Sequence, residues 1–294
     1  MTSKKILITG KKSYIGSSVK EWLMRSKQHY VVDEISFKGD DWRSLDFSIY
    51  DAIFHVAGIA HSDAGETDEE AKALYYKVNT NLTIEVAKKA KHEGVQQFIF
   101  MSSMTVYGKS VPFGSLKRIA RHTAPSPDNI YGDSKLQAEV GLASQRSIDF
   151  KIAIIRPPMI YGEGSKGNYP RLAKVAKKLP LFPAVDNERS VLHIDNLCEF
   201  IRLIIENCDD GVFFPQNEEY VTTSNLVAEI ASVHGKRIHL TRAFTPFLKI
   251  LGKRRSLISK VFGSLSYDME LSEYKEDYRV RNFKESIELT EGKD

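Results

Sequence analysis

The stretch Ile6-Leu7-Ile8-Thr9-Gly10-Lys11-Lys12-Ser13-Tyr14-Ile15-Gly16 decides how this chain is read. A short apolar run meets a glycine turn, and a helix-period segment reaching about Lys27 follows at once. That is a buried strand handing over to a helix N-terminus, where outward N–H groups and the helix dipole favour an anion. Gly10 permits the tight turn, and Gly16 lets the helix approach the sheet closely. The middle position holds Ser13, whose backbone angles are more restricted than those of glycine. A loop of this kind directly after the first strand points to a dinucleotide pyrophosphate.

Outward from that loop, short apolar runs alternate with helical segments. Strands are expected at Tyr30-Val31-Val32, at Ala52 to Val56 ending in Ala57-Gly58, at Phe98 to Met101, and at Ile152 to Ile155. Helical periodicity covers about Asp68 to His92 and the segment after Pro127. This alternation implies βαβ units, and runs without polar alternation fit strands covered on both faces. The fold class is therefore α/β, a doubly wound parallel sheet. After Pro157 glycine and proline become denser and short helices mix with short strands. We expect a first domain over residues 1–156, to which later segments return, and a smaller mixed α/β lobe over 157–294.

The end of the second strand bears on the ribose. If that strand is short, Asp33 or Glu34 is placed to accept from a ribose 2′-OH and select NAD. If it runs to Phe37, its end is Ser36 with Lys38 beyond, which admits the 2′-phosphate of NADP. Asp41-Trp42 follows in a loop and is expected near the adenine.

Composition narrows the classes. The chain has 294 residues, 42% hydrophobic and 27% charged, which excludes fibrous and wholly disordered readings. Forty-two Lys plus Arg against 38 Asp plus Glu leave a net charge of +4, too mild to argue for nucleic acid. Cys198 and Cys208 match no metal-ligand spacing and read as thiols in a reducing compartment. The eight histidines are scattered, so no metal site is expected. Met1 to Lys5 has no signal-peptide architecture, and no uncharged apolar stretch reaches about 18 residues. A cytoplasmic protein without an integral membrane segment is expected. The basic, apolar stretch 246–265 (Phe247, Leu248, Ile250, Leu251, Leu257, Ile258, Val261, Phe262) reads either as a membrane-surface helix or as a helix packed on the second lobe.

The chemistry centres on Tyr131-Gly132-Asp133-Ser134-Lys135. Ser126 is expected to cap this helix, with Pro127 at its first position. Tyr131 and Lys135 then share one face. An ammonium one turn from a phenol favours the phenolate, which would make Tyr131 a base for a sugar or alcohol hydroxyl. Ser102-Ser103 closes the Phe98–Met101 strand at its carboxyl end, where ligands of open sheets bind. A Ser103 hydroxyl there can bond a reacting oxygen. Asn79, in the preceding helix, is a candidate to anchor a water or a backbone kink.

Thr9-Gly10-x-x-Ser13-x-x-Gly16, His55-Val56-Ala57-Gly58, Val78-Asn79, Phe100-Met101-Ser102-Ser103-Met104-Thr105-Val106-Tyr107-Gly108 and Tyr131-x-x-x-Lys135 occur in this order. Together they resemble the extended short-chain dehydrogenase/reductase family, in its nucleotide-sugar epimerase and dehydratase branch. The resemblance implies a Rossmann domain, an NAD or NADP cofactor, and a UDP-sugar substrate bound by the C-terminal lobe. It makes Tyr131 the catalytic base, Lys135 its activator and ribose ligand, and Ser103 the aligner of the reacting hydroxyl. Tyr14, Ile15, Ala57, Gly58 and Pro157 would line the cofactor beside Gly10, Ser13 and Gly16. A homodimer through the helices starting near Asn79 and Pro127 is also implied.

In the second lobe, Arg156-Pro-Pro-Met159-Ile-Tyr161-Gly162, Gly167-Asn168-Tyr169 and Arg189 match pieces of that branch. By resemblance Arg189 grips the substrate pyrophosphate, which suits a guanidinium's bidentate geometry. Met104, Met159 and Asn168 are the further substrate candidates. Met159 stands where many UDP-galactose 4-epimerases have Asn, so the pieces look more like a subgroup acting on UDP-N-acetylhexosamines. The implied activities are a UDP-hexose or UDP-N-acetylhexosamine 4-epimerase in polysaccharide precursor synthesis, or a reductase of a UDP-4-keto-6-deoxy sugar. A non-catalytic dinucleotide-binding protein is the reading from a different class.

Overall fold

The computed structural model describes residues 3–27, 29–60, 69–111, 114–244 and 261–292. The chain forms two compact units. One comprises Met1–Gly108, Ala124–Pro157 and Cys198–Phe214, the other Lys109–Thr123, Pro158–Leu197 and Pro215–Asp294. A single break at residue 156 does not describe this division. Strand Gly211–Phe213 belongs to the first unit because it pairs with Lys151–Ile155. Residues 109–123 belong to the second because Arg118–Ile119 pairs with Ser266–Tyr267.

The first unit is built on a six-stranded sheet in the order Gly211–Phe213, Lys151–Ile155, Gln97–Met101, Ala52–His55, Lys4–Thr9, Tyr30–Ile35. All neighbours run parallel. Strands Ala52–His55 and Gln97–Met101 are buried along their whole length, which is why they read as unbroken apolar runs. On one face Leu7, Ile53, Phe98 and Ile152 pack with Val86 and Ala90 of helix Leu82–His92 and Ala138 and Leu142 of helix Ile130–Ala143.

The direction of strand addition reverses beside Lys4–Thr9. The chain first steps to Tyr30–Ile35 on one side, then crosses to Ala52–His55 on the other. With strands added on both sides of Lys4–Thr9, the parallel sheet is doubly wound and Rossmann-like. The reversal opens a crevice at the carboxyl ends of Lys4–Thr9 and Ala52–His55. Among the described residues no strand extends the sheet past Tyr30–Ile35. That strand stops at Ile35, whose carbonyl accepts from Gly10 N at 3.0 Å and Lys11 N at 3.1 Å.

The second unit is a mixed α/β lobe. Its short parallel strand pairs are Met159–Tyr161 with Val191–His193, Leu181–Pro183 with His239–Thr241, and Arg118–Ile119 with Ser266–Tyr267. Helices Asn168–Lys178, Thr223–Val233 and Phe283–Glu291 share a core that includes Tyr161, Tyr169, Phe182, Ile230 and Ile287. Of the stretch 246–265, residues 246–260 lie outside the described residues. Within the remainder, the Phe262 ring lies 5.7 Å from that of Phe182. Among the described residues no helix is long and apolar enough to cross a membrane, and no cluster of His, Cys, Asp or Glu could hold a metal.

Candidate active site

The phosphate loop takes its shape from contacts legible in its residue types. Gly10 has φ +85°, and a Cβ there would stand 3.1 Å from Ala57 N. Only glycine combines that angle with that approach. Ser13 is extended (φ −73°) and caps helix Tyr14–Arg25, its Oγ accepting from Gly16 N at 3.1 Å. The left-handed residue of the turn is Lys12 instead, at φ +65°. A Cβ on Gly16 would meet Ser13 Oγ at 2.6 Å and Ile8 Cγ2 at 3.2 Å, so the helix does lie hard against the strand. The first helical turn carries no acidic side chain, leaving its positive end unneutralised. Tyr14 and Ile15 are half-buried there. These features fit a pyrophosphate.

Neither carboxylate of the second strand stands at its end. Asp33 accepts from Tyr50 Oη at 2.9 Å, and Glu34 from Lys20 Nζ at 2.8 Å. The residue after the strand is Ser36, whose Oγ accepts from Lys38 N at 3.3 Å. Asp41 is exposed at the start of a 3₁₀ turn. Trp42 departs from expectation. It is 2% exposed, packs in the core with its ring 4.9 Å from Phe37, and presents no free face. Its loop folds inward because Arg43 lies over the indole at 4.6 Å and Phe37 and Leu45 pack on the same core.

A buried polar chain ties the crevice together. Thr9 Oγ1 accepts from Val56 N and Ala57 N at 3.1 and 3.2 Å. It lies 3.1 Å from His55 Nδ1, and His55 Nε2 lies 3.0 Å from Thr83 Oγ1, which donates to Asn79 O at 2.8 Å. Because the Thr83 proton is spent on Asn79, Thr83 must accept from Nε2–H, and Thr9 must donate to Nδ1. Both nitrogens are thus satisfied in neutral imidazole. Burial pulls the His55 pKa down to about 3, with the Lys135 charge adding to it.

Asn79 is fully buried in a π-helical turn, Tyr76–Asn81, not on a helix surface. Its Oδ1 accepts from Ile59 N at 2.8 Å, and its Nδ2 donates to Ile59 O and to Ser134 Oγ, both at 3.0 Å. It therefore fixes the segment after Ala57-Gly58. A Cβ on Gly58 would stand 3.0 Å from Asn79 Oδ1 and 3.2 Å from Lys135 Nζ, so a side chain there would crowd both.

The Tyr131 helix begins later than expected. It spans Ile130–Ala143 with Asn129 as its cap, Oδ1 accepting from Gly132 N at 2.8 Å. Ser126 stands too far ahead of Ile130 to cap it, and its N–H instead bonds Val106 O at 2.9 Å. Tyr131 and Lys135 still share a face. Ser103 stands beside the Tyr131 phenol and caps the 3₁₀ turn Met104–Tyr107, its Oγ accepting from Thr105 N at 3.2 Å. Lys135, 4% exposed, donates to Met101 O at 2.8 Å, with Nζ 4.6 Å over the Phe100 ring. Met104 is buried, its N bonded to Pro157 O at 2.9 Å, so it is a packing residue rather than an open contact.

Burial is the largest influence on the Tyr131 phenol and pushes it up to about 12, the Ser103 hydroxyl working against the shift. Lys135 is itself pulled down to about 8 by burial, opposed by the Glu139 carboxylate. Tyr131 is therefore a phenol, a proton donor, across the neutral range.

In the second unit Arg189 is half-buried, exchanges backbone bonds with Val221 at 3.1 and 3.0 Å, and donates to Gly263 O at 3.3 Å. Burial lowers its pKa. Asn168 is exposed at the start of helix Asn168–Lys178, and Met159 packs against the lobe's core. Residue-type reasoning passed over Thr9, His55, Ser102, Glu139 and Arg156. Of these, Glu139 was findable, standing four residues after Lys135 as Lys135 stands after Tyr131.

The model of the NAD dependent epimerase/dehydratase family matches residues 6–220. The chain belongs to that family. Within it, UDP-glucose 4-epimerase of Vibrio cholerae is 30% identical over 292 residues, covering 90% of this chain and 88% of the relative. N-acetyl-alpha-D-glucosaminyl-diphospho-ditrans,octacis-undecaprenol 4-epimerase of Escherichia coli O157:H7 is 28% identical, covering 88% and 81%. Among solved structures, UDP-glucuronic acid 4-epimerase from Bacillus cereus in complex with NAD shares the fold with a TM-score of 0.73 at 18% identity, over 97% and 96% of the two chains. This family member also shares its fold with RMD from Pseudomonas aeruginosa complexed with NADPH, at a TM-score of 0.73 and 15% identity, covering 98% of each chain.

Proposed function

We propose that this protein is an NAD(P)-dependent 4-epimerase of a UDP-hexose or UDP-N-acetylhexosamine, acting in the cytoplasm. The observation that carries the reading is Tyr131 and Lys135 one turn apart on helix Ile130–Ala143, with Lys135 Nζ on Met101 O at 2.8 Å, beside Ser103 at the carboxyl edge of the sheet. Family membership and two 4-epimerases among the relatives support it. Gly10, Ser13, Gly16, Ala57 and Gly58 would hold the dinucleotide, with Lys135 and Asn79 closing the crevice behind it. A bound nicotinamide dinucleotide would supply reversible hydride transfer at C4 of the sugar and, in its oxidised form, a positive charge.

Tyr131 moves the proton of the C4 hydroxyl. At a pKa of about 12 it needs that added positive charge, together with Lys135, to act as a base. Ser103 holds the same oxygen in line through both its hydroxyl and carbonyl forms. In the second unit Arg189 would meet the substrate's phosphates. A homodimer through the helices near Asn79 and Pro127, Leu82–His92 and Ile130–Ala143, is part of the reading, and Val140 on the latter is exposed. A monomeric mass by solution scattering would overturn that part.

One observation favours a second reading, an NADPH-dependent reductase of a UDP-4-keto sugar. Ser36 and Lys38 follow the second strand, while Asp33 and Glu34 are engaged by Tyr50 and Lys20. A neutral, then cationic, strand end suits a 2′-phosphate. Denaturing the purified protein and identifying the released nucleotide separates the two. Retained NAD with interconversion of C4 epimers across a UDP-sugar panel is the expected result. An empty site with NADPH consumption on a 4-keto substrate would replace it with the reductase.

A further inference from the structure

Two consecutive residues at the end of strand Gln97–Met101 are held by helix Ile130–Ala143, and the third stands beside it. Met101 O accepts from Lys135 Nζ at 2.8 Å, Ser102 Oγ donates to Glu139 Oε1, and Ser103 lies next to the Tyr131 phenol. Tyr131, Lys135 and Glu139 are spaced four apart and form one stripe on the helix. The proposed chemistry uses the first two. Glu139 is 4% exposed, and a carboxylate that deep requires a partner. Arg156 supplies it, with Nε at 3.1 Å from Oε1 and Nη2 at 2.5 Å from Oε2. Arg156 is in turn fixed to the sheet by its own N–H on Phe213 O at 2.8 Å and to the Ser103 turn by Nη1 on Tyr107 Oη at 2.5 Å.

We propose that Glu139 is a positioning residue for the Ser103–Tyr131–Lys135 constellation. Clamped by Arg156, it fixes the strand end through Ser102 and supplies the negative charge that keeps Lys135 an ammonium. The proposal rests on the role given above to Lys135. The groups facing Lys135 are consistent with it. From its own helix come Tyr131 and Glu139, from strand Ala52–His55 the neutral His55, from the π-helical turn the Asn79 amide, and from strand Gln97–Met101 the Met101 carbonyl and Phe100 ring. Glu139 is the one anion among them, and Arg156, paired with it from the end of strand Lys151–Ile155, is the cation opposing its charge. Without Glu139, burial and the helix offer Lys135 dipoles but no opposite charge.

The test follows lysine side-chain ¹³Cε resonances by NMR against pH in the whole protein, with the Lys135 signal assigned by its loss in Lys135→Arg. Wild type should titrate near pH 8. In Glu139→Gln the midpoint should move to lower pH, with proton affinity reduced about tenfold. The alkaline fall of kcat with the UDP-sugar identified from the panel should move with it. Glu139→Asp, which keeps the charge, should leave the midpoint in place. Ser102→Ala should lower kcat without moving it. If Glu139→Gln does not melt cooperatively, Glu139→Asp and Ser102→Ala carry the comparison. An unmoved midpoint in Glu139→Gln, or unchanged kcat in Ser102→Ala, overturns the proposal. Should no UDP-sugar be turned over even by wild type, the epimerase reading fails, and the Lys135 midpoint alone decides the role of Glu139.

Discussion

A Cβ placed on Gly132 would stand 2.5 Å from the carbonyl oxygen of Thr105. The helix bearing Tyr131 can lie against the 3₁₀ turn bearing Ser103 only because residue 132 has no side chain. Gly132→Ala must push helix and turn apart. Displacements near 1 Å in such a constellation cost roughly 100-fold in turnover, whereas overpacking costs about 1–3 kcal/mol of stability. Gly132→Ala is therefore expected to lose far more activity than stability. Steady-state kinetics beside urea unfolding check this, and a variant equally impaired in both would count against it.

Tyr131→Phe removes the proton-transfer group and keeps the ring. Turnover should fall about 100- to 10,000-fold, the usual contribution of a positioned acid–base. Dinucleotide binding, measured by calorimetry or retained absorbance, should persist, because the loop from Gly10 to Gly16 is untouched. Near-normal turnover would remove Tyr131 from the mechanism.

The parts legible in the sequence were those written in short-range patterns. The Thr9–Gly16 loop, the unbroken apolar strands and the Tyr131/Lys135 spacing depend on residues within a turn or two of one another. Gly16 was read for the helix–sheet contact it makes. What escaped depends on long-range pairing. Ser126 ahead of Pro127 reads as a cap, but its segment runs beside Val106, twenty residues earlier, the helix starts only at Ile130, and Asn129 caps it. Trp42 looked like a loop residue, but Phe37 and Arg43 fold it into the core. The phenol of Tyr131 was read from its neighbour's charge, while its pKa is set by desolvation that no spacing reveals. The Arg156–Glu139 pair joins residues seventeen apart and has no local signature.

Asn79 offers a different test, since it bonds both the N–H and the C=O of Ile59 and also Ser134. Asn79→Ala leaves buried partners unpaired, a loss of about 1–3 kcal/mol. Because Ile59 follows Gly58 directly, the crevice wall should loosen as well. The expected outcome is a lower urea midpoint together with weaker dinucleotide binding. A loss of stability with affinity unchanged would confine Asn79 to the fold.

His55 gives the pH dependence its sign. Its pKa of about 3 in the folded protein lies below the ordinary 6.5, so the unfolded chain binds more protons between those values. Stability from neutral His55 is complete above pH 6.5 and is lost as pH falls toward 3. At 1.36 kcal/mol per pKa unit the full loss is roughly 5 kcal/mol. The hydrogen-bond chain gives the reason, for Thr83 already accepts Nε2–H and Thr9 already donates to Nδ1, so a second ring proton would displace the Thr9 bond. His193, lowered to about 4, titrates in the same direction, so wild type alone does not isolate His55. The comparison that does is His55→Gln, which cannot take up the proton. Urea unfolding at stepped pH should show wild type well above the variant at pH 7, the gap closing as pH falls below 6.5. A gap independent of pH would mean that folding leaves the His55 pKa at its ordinary value, and a gap that widens as pH falls would mean that His55 is charged in the folded protein.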